Sequence, residues 1–191
     1  MALEGKRVMD YAIDAALAAS DGVVVVMPPG VDWSVNHVIT VVGGTTRSES
    51  VRAGLGAIPT DAEIVLVHDA ARPMADQSLF VRVVDAVRNG ADGAVPGIAI
   101  ADTVKEVRDG VVMATVPRHG LVTVQTPQAF RGTVLRAAHA SGAEGTDDAA
   151  VVERAGGTVV VVAGSIDNVK ITTPEDLERV AALLATRGAV S

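Results

Sequence analysis

Three polar runs, each following an apolar β-branched stretch, contain the residues best suited to chemistry. His68-Asp69-Ala70-Ala71-Arg72-Pro73 follows Ile64 to Val67. A carboxylate, two small residues and an arginine make a metal-and-phosphate corner: Asp69 can hold Mg2+, and Arg72 can take a phosphate through paired N–H bonds. An Asp–Arg pair bracing the loop is the simpler reading of that spacing taken alone. His68 reads as a structural hydrogen-bonding group rather than a base. Gly164-Ser165-Ile166-Asp167-Asn168-Val169-Lys170-Ile171-Thr172 follows Thr158 to Val162. Asp167 and Lys170 form either an ordinary surface pair or a second carboxylate and a phosphate-binding lysine brought beside Asp69. Gly43-Gly44-Thr45-Thr46-Arg47-Ser48-Glu49-Ser50 follows Val38 to Val42. Its glycines and helix-start amides suit an anion or a polar base, and equally suit a plain strand-to-helix turn.

A carboxylate, an arginine and a lysine at strand ends, without a nucleophile and base in reach of one another, point to phosphoryl or nucleotidyl transfer. That chemistry needs charge neutralisation and in-line positioning more than a covalent nucleophile. Ser50 and Ser165 have no evident base. The histidines at 37, 68, 119 and 139 lack metal-site spacing.

The elements that must hold these residues alternate between strand and helix. Val8, Met9, Ala12, Ile13, Ala16 and Leu17 recur at helical spacing. Val23 to Met27 is a short β-branched run stopped by Pro28-Pro29-Gly30, so it reads as a buried strand. Strands are also expected over Val38 to Val42, Ile64 to Val67, within Gly93 to Ile100, and over Thr158 to Val162. Helices are expected from about Arg47, where Thr46 and Glu49 have capping-box spacing, and over Leu79 to Val87. Further helices are expected around Val134 to His139, over Asp147 to Arg154, and after Thr173. There Pro174 takes the first helical position and Asp176 lies three residues past the cap. Between about residues 100 and 127 the texture changes: Val104 to Val107 and Val111 to Ala114 flank Asp109-Gly110, a hairpin signal. The expectation is a single α/β domain over 1–191. It has a mostly parallel sheet covered by helices on both faces, an inserted β-arm, and ligands outside the carboxyl ends of the strands.

Composition agrees. The chain has 191 residues, 49% hydrophobic but only 2% aromatic, so its core rests on Val, Ala, Leu and Ile, as in buried parallel strands. Charged residues at 20% exclude a largely disordered chain. A net charge of −7 argues against a general nucleic-acid surface. There is no cysteine, which removes disulfides, thiolate metal sites and cysteine nucleophiles. No apolar run reaches the roughly 18 residues of a membrane helix, and no signal-peptide pattern is present. A cytoplasmic protein with no membrane partner is expected.

Six segments occur in series: Gly43 to Val51, His68 to Pro73, Asp102-Thr103-Val104-Lys105, Gln125-Thr126-Pro127-Gln128-Ala129-Phe130, Thr146-Asp147-Asp148-Ala149, and Asp167 to Thr172. Through them the chain, from about Leu3 to Leu184, resembles the 2-C-methyl-D-erythritol 4-phosphate cytidylyltransferases. The resemblance implies a Rossmann-like nucleotidyltransferase fold and a Mg2+-dependent attack of a polyol phosphate on the α-phosphate of CTP. It implies that Gly44 and Ser50 contact cytosine, that Asp69 and Asp167 serve the metal, and that Asp69 and Lys170 face the CTP phosphates. Lys170 would also position the attacking phosphate, with Arg72 and Thr146 lining the polyol side. It further implies a homodimer through the β-arm, with Thr103, Arg118 and Thr126 serving the partner's site and Arg118 gripping the polyol phosphate. Read without the family, Arg118 is an exposed cation in a loop.

The family opens with a strand and a loop, Ala-Ala-Gly-x-Gly-x-Arg followed by Pro-Lys, which cradles the CTP phosphates. This chain opens at Met1-Ala2-Leu3-Glu4-Gly5-Lys6-Arg7, aligned just beyond that Pro-Lys, and Lys6 and Arg7 do not replace the pair. Two expectations follow: a natural protein longer at this end, or a crippled homologue that binds or dimerises without chemistry. Loss of that strand, central in the family's sheet, would expose edges of its Val-rich neighbours to pairing or aggregation. A ribitol-phosphate cytidylyltransferase is the near alternative; those relatives tend to carry Val at the position of Ala71.

Overall fold

The computed structural model describes residues 2–188. It opens on two short antiparallel strands, β1 (Ala2–Leu3) and β2 (Lys6–Arg7), joined by a turn at Glu4 and Gly5, both at positive φ. Neither strand was expected, since two-residue segments carry no period. Arg7 also leads into α1 (Val8–Leu17), its Nε donating to Asp10 at 2.9 Å.

β3 (Val24–Met27) and β4 (Ile39–Val42) pair in parallel, Val24 opposite Ile39. α2 (Arg47–Ala57) follows with the anticipated reciprocal cap: Thr46 Oγ1 accepts from Glu49 N at 3.1 Å, and Glu49 Oε2 accepts from Thr46 N at 3.0 Å. Next come β5 (Ile64–Val67) and α3 (Gln77–Arg88), the latter capped by Asp76. β6 (Gly93–Ala99) precedes the hairpin of β7 (Val104–Arg108) and β8 (Val111–Val116). Its turn has φ 51° at Asp109 and 79° at Gly110, the doubly left-handed geometry that Asp-Gly accommodates. β9 (Val122–Val124), β10 (Gln128–Arg131), α4 (Gly132–Ala140), α5 (Asp148–Arg154), β11 (Val159–Ala163) and α6 (Pro174–Gly188) complete the order.

The main sheet runs β11-β6-β10-β5, with β9 against the far end of β6. β5, β6 and β11 point the same way, and β10 runs against its neighbours β5 and β6. The sheet is therefore mixed rather than mostly parallel: β11 and β6 pair in parallel, while β10 and β9 both run antiparallel to their neighbours. Gln128-Ala129-Phe130-Arg131 has no β-branched residue and gave no strand signal. It is secured by packing: a Cβ on Gly93 would lie 2.5 Å from the Phe130 ring, so the glycine makes room for that ring.

Strand alternation sends side chains to two layers. Val65, Val95 and Phe130 meet Leu55 of α2, Leu135 of α4 and Val151 and Val152 of α5 on one face. Ile64, Leu66, Ala94, Ala129 and Val160 meet Val83 and Val87 of α3 on the other. Each fully buried Leu, Val or Phe here contributes about 1.5–3 kcal/mol.

Among the described residues β3 and β5 are each hydrogen-bonded along one side only. α2 ties their two sheets together: Val51 and Leu55 pack toward Val65 and Val67, while Gly54 lies against Val26. A third cluster joins Leu3, Val8 and Val180 around Met74 and Ile171, behind the segments that follow β5 and β11.

Candidate functional site

The carboxyl ends of β5 and β11 bring two of the three polar runs together. Lys170 Nζ lies 2.9 Å from Asp69 Oδ2, and Arg72 Nε lies 3.7 Å from the same oxygen, an ion pair rather than a hydrogen bond. Two cations therefore flank one carboxylate. The corner is braced by backbone as well: Ile171 N donates to Ala71 O at 2.8 Å, and Arg72 Nη1 donates to Asn168 O at 2.7 Å.

Burial pulls the Arg72 pKa down and Asp69 opposes that shift; from so high a starting value the guanidinium stays charged at neutral pH. His68 is different. Burial lowers its pKa to about 4, so at neutral pH the ring is uncharged, set edge-on to Phe80 with centroids 5.3 Å apart. Thr126 Oγ1 accepts from Asp69 N at 2.9 Å and lies 3.0 Å from His68 Nδ1, which suits a hydroxyl donating to a neutral ring. His68 is thus the structural group expected of it.

The Thr126 side chain, 5% exposed, bonds Asp69 and His68 of its own chain. Thr103 and Arg118 lie exposed on the arm, outside the Asp69–Arg72–Lys170 contacts. Asp167 sits in the segment after β11, its N–H donating to Ser165 Oγ at 3.3 Å, and its carboxylate forms no ion pair among the described residues. Thr146 is exposed immediately before α5.

On the third run, Ser50 Oγ donates to Thr46 O at 3.0 Å. Gly44 is exposed, and a Cβ there would lie 2.6 Å from Glu49 Oε2. The carboxylate that caps α2 also takes Thr45 N and Thr45 Oγ1, both at 2.6 Å, so it folds over the glycine and leaves no room for a side chain.

Two amides, assigned no role from their residue types and spacing, carry structural weight. Gln125 Nε2 donates to Ser165 O at 2.8 Å, and its Oε1 accepts from Ser165 N at 3.1 Å. Asn168, fully buried, donates through Nδ2 to Thr126 O at 2.8 Å and more weakly to Gln125 Oε1 at 3.3 Å. Together they fix the segment carrying Lys170 against the one carrying Thr126. The only local signal was two amide-bearing residues inside otherwise distinctive polar runs.

Residues 1–186 match the family model described as IspD, 2-C-methyl-D-erythritol 4-phosphate cytidylyltransferase. The chain belongs to this family. A cytidylyltransferase of that description from Nocardia farcinica is 43% identical, covering 97% of this chain and 85% of the relative. A bifunctional IspD/IspF enzyme of Nitratidesulfovibrio vulgaris is 46% identical over 186 residues; the match takes in 85% of this chain and 46% of the relative. The chain thus spans just under half the length of that bifunctional relative. Among solved structures, the Thermus thermophilus family member superposes with a TM-score of 0.88 at 34% identity, covering 96% of this chain and 92% of that one. The fold is therefore the Rossmann-like nucleotidyltransferase fold of the IspD family.

Proposed function

We propose that the chain transfers CMP from CTP to 2-C-methyl-D-erythritol 4-phosphate, giving the CDP-linked polyol and pyrophosphate for non-mevalonate isoprenoid precursor synthesis. The Lys170–Asp69 contact, with Arg72 beside it, carries this reading. A phosphate oxygen of the polyol attacks the α-phosphorus of CTP, the bond from that phosphorus to the β-phosphate oxygen breaks, and pyrophosphate leaves. The attacking oxygen is already ionised at neutral pH, so no general base is required, and a buried neutral His68 is consistent with that. What the reaction needs is cations between two anionic reactants. Lys170 draws the attacking phosphate in and offsets charge on the five-coordinate phosphorus. Arg72 and Thr146 hold the polyol side, and Gly44 and Ser50 receive the cytosine.

Mg2+ fits this donor set as an ion shared with substrate. Asp69 offers one carboxylate at the phosphate position and Asp167 a second in the segment after β11. No group of three His, Cys, Asp or Glu among the described residues would hold a cation unaided. That matches the habit of Mg2+ of binding through one or two carboxylates plus phosphate oxygens. When bound it would neutralise triphosphate charge and polarise the α-phosphate.

The chain acts as a homodimer through the arm. Val107, Val111, Val112 and Met113 are each more than half exposed there, an apolar surface suited to a second copy. Thr103 and Arg118 on that arm serve the partner's site, Arg118 gripping the polyol phosphate. The reaction belongs to the cytoplasm, where CTP is available; no described helix is long and apolar enough to cross a membrane.

The test is pyrophosphate release by the purified chain. Release requiring CTP, the polyol phosphate and Mg2+ together supports the proposal. No release with all three present, from the chain carrying the family's N-terminal strand and glycine-rich loop ahead of it, contradicts it, and preference for ribitol 5-phosphate in competition would reassign the acceptor.

A further inference from the structure

Asp148, the first residue of α5, is completely buried although it is a carboxylate. Its Oδ1 lies 3.0 Å from His139 Nε2 of α4, itself buried. Its Oδ2 lies 2.7 Å from Arg47 Nη2, at the first residue of α2, close but off the hydrogen-bonding direction. Burial would drive this carboxyl toward its neutral form, yet His139 and Arg47 hold its pKa below the ordinary value. A charge kept in the interior at that cost is weak support for stability and better suited to fixing one arrangement of the elements around it.

The elements it fixes are those that carry the base-side and polyol-side residues. Arg47 lies three residues after Gly44 and three before Ser50. The same first turns of α2 reach the segment before α5 three times more: Gly145 N donates to Ser48 Oγ at 3.3 Å, Arg52 Nη1 donates to Ala143 O at 3.1 Å, and Arg52 Nη2 donates to Glu144 Oε1 at 2.9 Å. Thr146 is in that segment.

We infer that Asp148, clamped between Arg47 and His139, is a positioning residue that sets the start of α2, and with it Gly44 and Ser50, against the loop bearing Thr146. Asp148 touches no substrate; it acts through Arg47. The clamp's consequence for nucleotide rests on the cytidylyltransferase reading, whereas the clamp itself does not.

Asp148→Asn keeps the shape and removes the charge. Amide exchange of the ligand-free chain across residues 45–52 should quicken at least tenfold, with α3 unchanged. CTP should bind about tenfold more weakly with Mg2+, and the preference for CTP over UTP should fall, a change that loss of stability alone does not produce. If Asp148→Asn is not recovered folded, Arg47→Gln, altered at the partly exposed partner, should give the same readings. Unchanged exchange across residues 45–52 in a folded variant overturns the clamp. Quickened exchange with unaltered CTP affinity and base preference overturns its role in nucleotide positioning. A wild-type chain that binds no CTP at all contradicts the cytidylyltransferase reading instead, and the exchange measurement still decides the clamp.

Discussion

Lys170 and Asp69 are separated by a hundred residues of chain and by 2.9 Å of space, an ion pair that joins the segments after β5 and β11 beside their Ile171–Ala71 and Arg72–Asn168 hydrogen bonds. Lys170 is 47% exposed, and an exposed pair of this kind is worth about 0–1 kcal/mol to the fold. Lys170→Ala should therefore leave unfolding nearly unchanged while lowering kcat by about 10²–10³, the usual cost of one charge-stabilising donor. Denaturant unfolding beside steady-state pyrophosphate release measures both. A rate close to wild type would remove Lys170 from the reaction.

Arg118 is exposed on the arm, and the proposed dimer assigns it to the other subunit's site. Arg118→Ala should lose activity strongly with no loss of stability. Mixing it with Lys170→Ala should restore activity, because one site of the mixed dimer then has both residues intact. If mixing restores nothing while the two variants exchange subunits, Arg118 does not act across the dimer.

Asn168 and Gln125 are predicted to matter through Lys170. Asn168→Ala removes a buried amide and leaves the Thr126 carbonyl without its 2.8 Å donor. An unpaired buried polar group costs about 1–3 kcal/mol, so the melting temperature should fall. The loosened segment should also lower kcat more than it raises KM for CTP. An Asn168→Ala chain with wild-type stability would contradict the network described.

Gly44 and Glu49 supply a prediction about the base side. Because a Cβ at 44 would lie 2.6 Å from Glu49 Oε2, Gly44→Ala must displace the cap of α2. A lost N-terminal cap costs about 1 kcal/mol, and KM for CTP should rise with it. A Gly44→Ala chain unaltered in both would show that the glycine is dispensable.

The same carboxylate gives a pH dependence with a definite sign. Hydrogen bonds from the Thr45 hydroxyl and the Thr46 and Thr45 amides hold the Glu49 pKa below its ordinary 4.5. Its contribution is therefore present in full above the unfolded value and is lost as pH falls through the lower folded value. Wild type should exceed Glu49→Gln in unfolding free energy at about pH 6, and the gap should close toward about pH 3. A gap that persists unchanged into acid would rule out an ionised cap.

Local chemistry made much of this molecule readable. The caps at Thr46 and Thr173, the Asp109-Gly110 turn and the apolar strands all depend on neighbours within a few residues, and each lies where its pattern implied. Strand ends then directed attention to Asp69, Arg72 and Lys170. β10 was illegible because its hold comes from Gly93 and from strands far along the chain, not from its own composition. Asn168 and Gln125 meet across 43 residues, and Arg47 and Asp148 across a longer span, so no spacing rule could pair them.

The most direct measurement follows the phosphorus. With CTP labelled at the α-phosphorus, Mg2+ and 2-C-methyl-D-erythritol 4-phosphate, the label should appear in a CDP-linked polyol, and with CTP labelled at the γ-phosphorus it should appear only in pyrophosphate. Label from the α-position remaining in CTP, or released as CMP with no polyol product, would contradict nucleotidyl transfer by this chain.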